Sequence, residues 1–193
     1  MTVRIAALVG SLRAGSVTRI ASREALAEAE RLGAETDLID LREFDLPMYD
    51  PDASDAGDAV ALKSRLRDAD AVVLGTPMYH GSYSSPIKVA IDYSGFDEFE
   101  NTTVGLLAVA GGSFPITALE HLRSTMRALD AWVLPHQAAI PNASSTVADG
   151  EIVDEDIAER VRTLGRRVVQ YANIEPDPLS FEGAHNVKEV EDT

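Results

Sequence analysis

Short runs of apolar residues alternate along the chain with longer segments of mixed polarity. Near-continuous apolar runs are typical of strands that are covered on both faces of a sheet. The pattern predicts strands at residues 3–9, 35–41, 71–77 and 102–110, and a fifth strand around residues 131–138. This alternation restricts the chain to folds that bury their strands between layers of helices.

The segments between the predicted strands carry helix signals. Residues 17–33 are alanine-rich, charged on one side and closed by a glycine, and residues 59–70 form a shorter helix. Another helix is predicted to begin near Ser85 and Pro86, because proline is tolerated in the first turn of a helix. Two further amphipathic helices are predicted from apolar residues at helical spacing: Leu119, Leu122, Met126 and Leu129, then Ile157, Val161, Leu164, Val168 and Tyr171.

Strands that alternate with helices indicate a parallel sheet with helices on both faces. The predicted fold is an α/β three-layer sandwich, in which five parallel strands take the flavodoxin-like order 2-1-3-4-5. We expect one domain over residues 1–172, which is long enough for a single substantial core. The acidic tail, residues 173–193, is predicted to be either a disordered end or a strap over a neighbouring subunit.

The charge balance and the missing cysteines exclude several classes of function. The chain of 193 residues has 32 acidic and 17 basic residues, so a nucleic-acid partner is not expected. The acidic excess indicates either an ordinary solvated surface or adaptation to high salt. With no cysteine, the chain has no disulfide, no thiol chemistry and no cysteine-bound metal. Without an apolar run of about 20 residues or a signal-peptide layout, we expect a cytoplasmic protein with no membrane partner.

The first candidate site is the stretch GSLRAGSVTR, residues 10–19, called here the first loop. It joins the first strand to the first helix, where free N–H groups and the helix dipole favour an anion. Ser11, Ser16 and Thr18 add hydroxyl donors, and Arg13 adds a guanidinium that can grip phosphate oxygens. The alternative is that Ser16 only caps the helix while Arg13 lies on the surface.

The first loop is neither a nucleoside-triphosphate loop nor a dinucleotide fingerprint, because it has only two glycines and no lysine. A terminal monophosphate fits it better. Asp40, at the end of the second strand, is open to two interpretations: the ribose-binding acid of a dinucleotide site, or an aspartate that begins a turn.

Two more loops are expected at the same edge of the sheet, because ligands of open α/β sheets bind beyond the carboxyl ends of the strands. The second loop, residues 75–88 (GTPMYHGSYSSPIK), contains small residues and proline that expose backbone groups suited to a flat heterocycle. The third loop, residues 110–114 (AGGSF), is a glycine-rich turn. Three consecutive inner strands would thus surround one planar, phosphorylated ligand.

These three motifs, in this order and spacing, resemble the NADPH-dependent FMN reductase family of flavodoxin-like proteins. The resemblance extends over residues 3–133. It implies three groups of FMN-binding residues: a phosphate group of Ser11, Arg13, Ser16, Val17 and Thr18; a ring-edge group of Pro77, Met78, Tyr79, His80, Gly81 and Ser82; and a group on the other side of the ring, Gly111, Gly112 and Ser113. Thr18 and His80 stand where the family usually has asparagine.

The resemblance implies an enzyme that passes electrons from NADPH or NADH through FMN to a quinone, a flavin, an azo compound or a metal oxyanion. It also implies a homodimer or homotetramer. No catalytic side chain or metal is expected, since the flavin itself carries the hydride. His80 either protonates a reduced acceptor or only forms hydrogen bonds. Two alternatives are a flavodoxin-type electron carrier, against which Arg13 argues, and a flavin-containing regulatory partner.

Overall fold

A computed structural model describes residues 2–174 as a parallel sheet between two layers of helices. The sheet has the order β2-β1-β3-β4-β5, which confirms the predicted strand order and fold class. All its neighbouring strands run parallel. The strands are β1 (Arg4–Val9), β2 (Glu35–Asp40), β3 (Ala71–Pro77), β4 (Thr103–Val109) and β5 (Trp132–Ile140).

The helices cover both faces because successive residues of each buried strand point to opposite sides. One face packs against α1 (Val17–Arg31) and α7 (Glu155–Gln170). The other packs against α2 (Ala59–Arg67), α3 (Ser85–Tyr93) and α5 (Ile116–Arg127). Each helix turns its apolar stripe toward the sheet, so the molecule has one core on each side of it.

Helices α1 and α7 lie unusually close together at Gly165. A Cβ atom on this glycine would lie 2.3 Å from the carbonyl oxygen of Ala25. Beside this contact, the Arg166 guanidinium lies 2.9 Å from Glu28 of α1. Hydrogen bonds from Arg166 and then from Arg31 lower the pKa of the Glu28 carboxyl below its ordinary value. The two helices are thus joined by both close packing and ion pairs.

Strands β1, β3 and β4 end together at one edge of the sheet. The register pairs Val9 with Gly75, and Pro77 with Val109. The loops that follow these three strands therefore leave the sheet side by side, which places the three predicted loops on one rim.

The structure differs from the sequence prediction mainly at the ends of elements. Helix α2 ends at Arg67 rather than at residue 70, and β5 continues to Ile140 rather than stopping near residue 138. Strand β5 lies at the edge of the sheet and has mixed burial, with a proline, a histidine and a glutamine in its middle, so it lacks the continuous apolar run that marks the inner strands.

Several short elements were not predicted, because one turn or two residues leave no periodic pattern. They are the 3₁₀ turns Leu41–Glu43 and Pro51–Ala53, the helices α4 (Phe96–Phe99) and α6 (Ala143–Thr146), and the hairpin of β6 (Val147–Ala148) and β7 (Glu151–Ile152).

The predicted tail falls almost wholly outside the described residues, which end at residue 174. Both its predicted behaviour and the domain boundary at residue 172 therefore remain predictions. Over residues 2–174, no helix is long and apolar enough to cross a membrane.

Candidate functional site

The first loop ends in the N-terminus of α1, which is capped by Ser16. The Ser16 hydroxyl accepts a hydrogen bond of 3.1 Å from the Arg19 N–H group. Ser16 therefore caps the helix, and whether it also binds a ligand stays a prediction. The same hydroxyl still has its own proton, so capping the helix and donating to an anion are compatible.

The first loop contains many hydrogen-bond donors that have no acceptor among the described residues. Within residues 2–174, the backbone N–H groups of residues 11–18 have no hydrogen-bond acceptor. Over the same range, the hydroxyls of Ser11 and Thr18 have no partner, although both residues are 2% exposed. The Arg13 side chain is exposed and forms no ion pair with any described residue. A set of N–H, hydroxyl and guanidinium donors at a helix N-terminus is suited to an anion.

The second arginine of the loop, Arg19, is buried and points inward. Its Nε atom lies 2.5 Å from the Asp40 carboxylate, and its two terminal nitrogens donate to the carbonyl oxygens of Ala14 and Arg13 at 2.9 and 3.2 Å. Asp40 is 5% exposed and also accepts from the Arg42 N–H group. The Asp40 carboxylate thus has structural partners, which argues against the ribose-binding interpretation.

The second loop forms a tight turn at its tip. The backbone groups of Tyr79 and Ser82 exchange two hydrogen bonds, of 3.0 and 3.1 Å. The residues between them, His80 and Gly81, have φ angles of 50° and 81°. Such left-handed angles are those of a two-residue hairpin turn, which glycine adopts without strain. The turn leaves Tyr79 and His80 exposed at the rim.

A group of buried hydrogen bonds, called here the polar tie, joins the first two loops. The Thr76 hydroxyl accepts from the Ser84 N–H group at 2.9 Å and donates to the Pro77 carbonyl at 2.9 Å. The Ser84 hydroxyl donates to the Gly10 carbonyl at 2.8 Å. A Cβ atom at Gly10 would lie 2.1 Å from the Ile87 side chain. The chain therefore needs glycine at this point, and the two loops are fixed relative to each other.

Helix α5 supports the second loop from the outside through three polar residues spaced four apart. Thr117 contacts the Met78 sulfur at 3.5 Å, His121 Nδ1 lies 3.0 Å from the Ser82 hydroxyl, and Thr125 lies 3.4 Å from the Tyr83 hydroxyl. Residues at this spacing share one helix face. This polar face of α5 therefore contacts the second loop, which carries the predicted ring-edge residues.

The third loop is largely exposed, with free space around its two glycines. Gly111, Gly112 and Ser113 are exposed, and a Cβ atom at either glycine would meet nothing within 4 Å. Its backbone is anchored from behind by the residues after β5: Asn142 donates to the Gly112 carbonyl at 3.0 Å, and Ala143 donates to Ala110 at 3.0 Å. The three loops thus lie along one edge of the sheet, with hydrogen-bond donors on the first loop and free space at the glycines of the third.

The sequence profile of the NADPH-dependent FMN reductase family matches residues 3–145. The chain belongs to this family. It is therefore an FMN-dependent NAD(P)H oxidoreductase, and the family assignment gives no support to the electron-carrier alternative.

Individual relatives agree with the assignment. An FMN-dependent NADPH-azoreductase of Staphylococcus saprophyticus is 31% identical over an alignment of 180 residues that covers 88% of this chain and 95% of that protein. A flavoenzyme NAD(P)H:(acceptor) oxidoreductase from Paracoccus denitrificans has a similar structure, with a TM-score of 0.73, 24% identity, and coverage of 89% of this chain and 97% of that one.

A third similar protein was solved with the flavin in place. It is an FMN-dependent NADH-azoreductase from Bacillus anthracis in complex with FMN, with a TM-score of 0.61, 11% identity, and coverage of 90% of this chain and 100% of that one. At this level of identity, the two structural matches show a common fold.

The residues of this FMN reductase fit the cofactor that the family assignment implies. The first loop offers unpartnered donors of the kind that a phosphate dianion requires, and the third loop has free space at its glycines on the same edge of the sheet. The structure brings the predicted site residues together on these loops. Their individual contacts with FMN remain predictions.

Sequence reasoning missed the residues that hold these loops from behind. They are Arg19, Thr76, Ser84, Thr117 and His121. The four-residue spacing of Thr117, His121 and Thr125 was a visible signal, since it marks a polar face on a helix whose other face is apolar. The partners of Arg19 and Ser84 are distant in sequence and left no comparable signal.

Proposed function

We propose that the three loops bind FMN with its phosphate in the first loop and its isoalloxazine ring between the second and third loops. The observation that carries this proposal is the run of N–H groups at residues 11–18 that have no acceptor within residues 2–174. The phosphate contacts are assigned to Ser11, Arg13, Ser16, Val17 and Thr18, and the ring contacts to residues 77–82 and 111–113.

The side chains of the site bind and orient rather than react. When bound, FMN supplies the electron transfer between the nicotinamide and the acceptor, so the reaction needs no side-chain acid or base. The first loop neutralises the phosphate inside a protein whose net charge is −15, so its local donors must outweigh the overall field. The buried polar tie keeps that loop and the ring-edge turn in a fixed relation.

The proposed acceptor is a small, flat aromatic molecule, such as a quinone, a free flavin or an azo compound. Two exposed aromatic residues support this class: Tyr79 in the second loop, 52% exposed, and Phe114 in the third loop, 75% exposed. Aromatic side chains at the mouth of a site favour stacking with planar ligands. The azo compound is suggested by the activity that names the Staphylococcus saprophyticus relative.

We further propose that the protein acts as a homodimer or homotetramer in the cytoplasm. A groove of about 410 Å³ lies beside the first loop, and its apolar lining includes Leu12, Phe44 and Leu46. Leu12 in this groove is 55% exposed, and Met48, two residues after Leu46, is 81% exposed. Light scattering on the purified protein tests the proposed oligomeric state, and a monomer at micromolar concentration contradicts it.

Anaerobic mixing of the flavin-loaded protein with NADPH or NADH tests the proposed function. We expect the yellow absorption band to bleach promptly and to return when a quinone or an azo dye is added. A protein that bleaches with a chemical reductant but with neither nicotinamide contradicts the reductase proposal. Recovery of FAD rather than FMN, or a colourless protein that ignores added FMN, contradicts the assignment of the first loop to a terminal monophosphate.

A further inference from the structure

Arg19 connects three parts of the molecule beneath the first loop. It lies in the first turn of α1, bonds Asp40 at the end of β2, and bonds two backbone carbonyls of the loop. The side chains of Arg19 and Asp40 are only 11% and 7% exposed. A buried charge requires a partner and full hydrogen bonding, so this arrangement is held in one geometry.

The two carbonyl bonds determine which way the loop's N–H groups point. In a trans peptide, the C=O and the N–H of one peptide unit point in opposite directions. The Arg13 carbonyl points inward to Arg19, so the N–H group of Ala14 points away from it. The Ala14 carbonyl also points to Arg19, so the N–H group of Gly15 points outward as well. Neither N–H group has an acceptor within residues 2–174.

We infer that Arg19 is a positioning residue that turns the Ala14 and Gly15 N–H groups toward the flavin phosphate, with Asp40 fixing its guanidinium. This inference rests on the proposed binding of FMN by the first loop. The residues that the family motif assigns to the phosphate precede Arg19 in the chain. In this inference, Arg19 does not bind the ligand and acts only through its hydrogen bonds to the Arg13 and Ala14 carbonyls.

The geometry requires arginine rather than a general positive charge. The guanidinium has donors in a fixed planar fork, and here three of its nitrogens bind three different acceptors. Lysine has a single nitrogen on a flexible chain and cannot reproduce that fork. Arg19→Lys therefore retains the charge and loses the positioning, which makes it the decisive variant.

The test compares binding of FMN and of riboflavin, which lacks the phosphate, to the flavin-free protein by fluorescence titration. We expect Arg19→Met and Arg19→Lys each to weaken FMN binding about 10- to 100-fold, the effect of losing well-placed bonds to a charged group. Riboflavin binding should change by less than about threefold, because the ring contacts lie on other loops. The phosphorus NMR signal of bound FMN should shift in Arg19→Lys while the visible flavin band stays unchanged.

Arg65→Met provides a matched control. Arg65 also pairs with an aspartate of β2, Asp37, and also donates to a backbone carbonyl, that of Leu38 at 3.0 Å. Its hydrogen bonds go to Asp37 and Leu38, and none goes to the first loop. We expect this variant to lose stability and to keep the affinities of the wild type for both flavins.

Three outcomes overturn the inference: wild-type FMN affinity in Arg19→Lys, equal losses for FMN and riboflavin in that variant, or the same FMN loss in Arg65→Met. If Arg19→Met does not fold, as judged by circular dichroism, Arg19→Lys decides alone because it keeps a cation beside Asp40. A wild-type protein that binds neither flavin refutes the proposed function instead, so the two failures are distinguishable.

Discussion

Thr76→Val tests whether the polar tie holds the first two loops in place. Thr76 is fully buried, and its hydroxyl is the acceptor for the Ser84 N–H group at 2.9 Å. Valine has nearly the same shape, so the substitution removes that acceptor without opening a cavity. Ser84 is 2% exposed, so its N–H group is then left buried without a partner.

The magnitude of the loss follows from two opposing terms. A buried donor without an acceptor costs about 1–3 kcal/mol, and the added methyl group returns up to about 0.8 kcal/mol through its burial. The difference lies between about 0.2 and 3 kcal/mol, and from its middle we expect a net loss of about 1–2 kcal/mol in the free energy of unfolding. For a domain of this size, that loss lowers Tm by about 2–8 °C.

A double-mutant cycle of Thr76→Val with Ser84→Ala separates the interaction between the two residues from the loss of stability that each substitution causes alone. The two hydroxyls belong to one network, so urea titrations should show a coupling energy of at least about 0.5 kcal/mol. Thr103→Val is the matched control, since Thr103 is also fully buried and its hydroxyl donates to the Tyr171 carbonyl at the far end of the sheet. Its effect should add to that of Ser84→Ala. A neutral Thr76→Val, or additivity in both cycles, refutes the reasoning.

Four further predictions concern the site and the stability of the fold. Arg13→Ala should weaken FMN binding about 10- to 150-fold and leave riboflavin binding nearly unchanged, whereas Arg23→Ala, at an exposed arginine of α1 outside the first loop, should affect neither. Equal losses for both flavins contradict the phosphate role. Gly165→Ala should lower Tm, because overpacking against α1 costs about 1–3 kcal/mol and exceeds the gain in helix propensity of about 1 kcal/mol. A raised Tm would contradict this and show that α1 and α7 can move apart at little cost. Glu28→Gln should destabilise the protein at neutral pH, because the pKa of the Glu28 carboxyl is lowered in the folded state. The stability that the carboxylate contributes is present above the ordinary glutamate pKa of about 4.3 and is lost as the pH falls through the folded-state pKa. Urea titrations at several pH values should therefore show the difference in stability between wild type and variant disappearing in acid. If the acidic excess is an adaptation to salt, Tm should rise from dilute buffer to molar KCl as the Debye length shrinks from about 10 Å at 0.1 M to about 3 Å at 1 M; a flat Tm leaves only the ordinary solvated surface.

The inner strands were predictable from the sequence because a strand that is buried on both faces requires a nearly continuous run of apolar residues. Strands β1, β3 and β4 consist almost wholly of apolar residues, and each is followed by a loop rich in glycine, serine or proline. The edge strand β5 has mixed burial, so its end was predicted two residues too early. The positions of the candidate loops followed from the strands, since the carboxyl ends of parallel strands meet at one edge.

The local sequence also predicted which loop would hold an anion, because the hydroxyls and Arg13 lie within nine residues of one another beside a predicted helix N-terminus. It did not determine the role of Arg19, whose acceptor Asp40 is 21 residues away. Nor did it predict the contact between Ser82 and His121, 39 residues apart. Local propensity reports only on neighbours along the chain, whereas these partners meet because two strands and a helix pack into one edge of the sheet. The sequence therefore determined the donors, and the tertiary structure alone decided how the backbone beneath them is held.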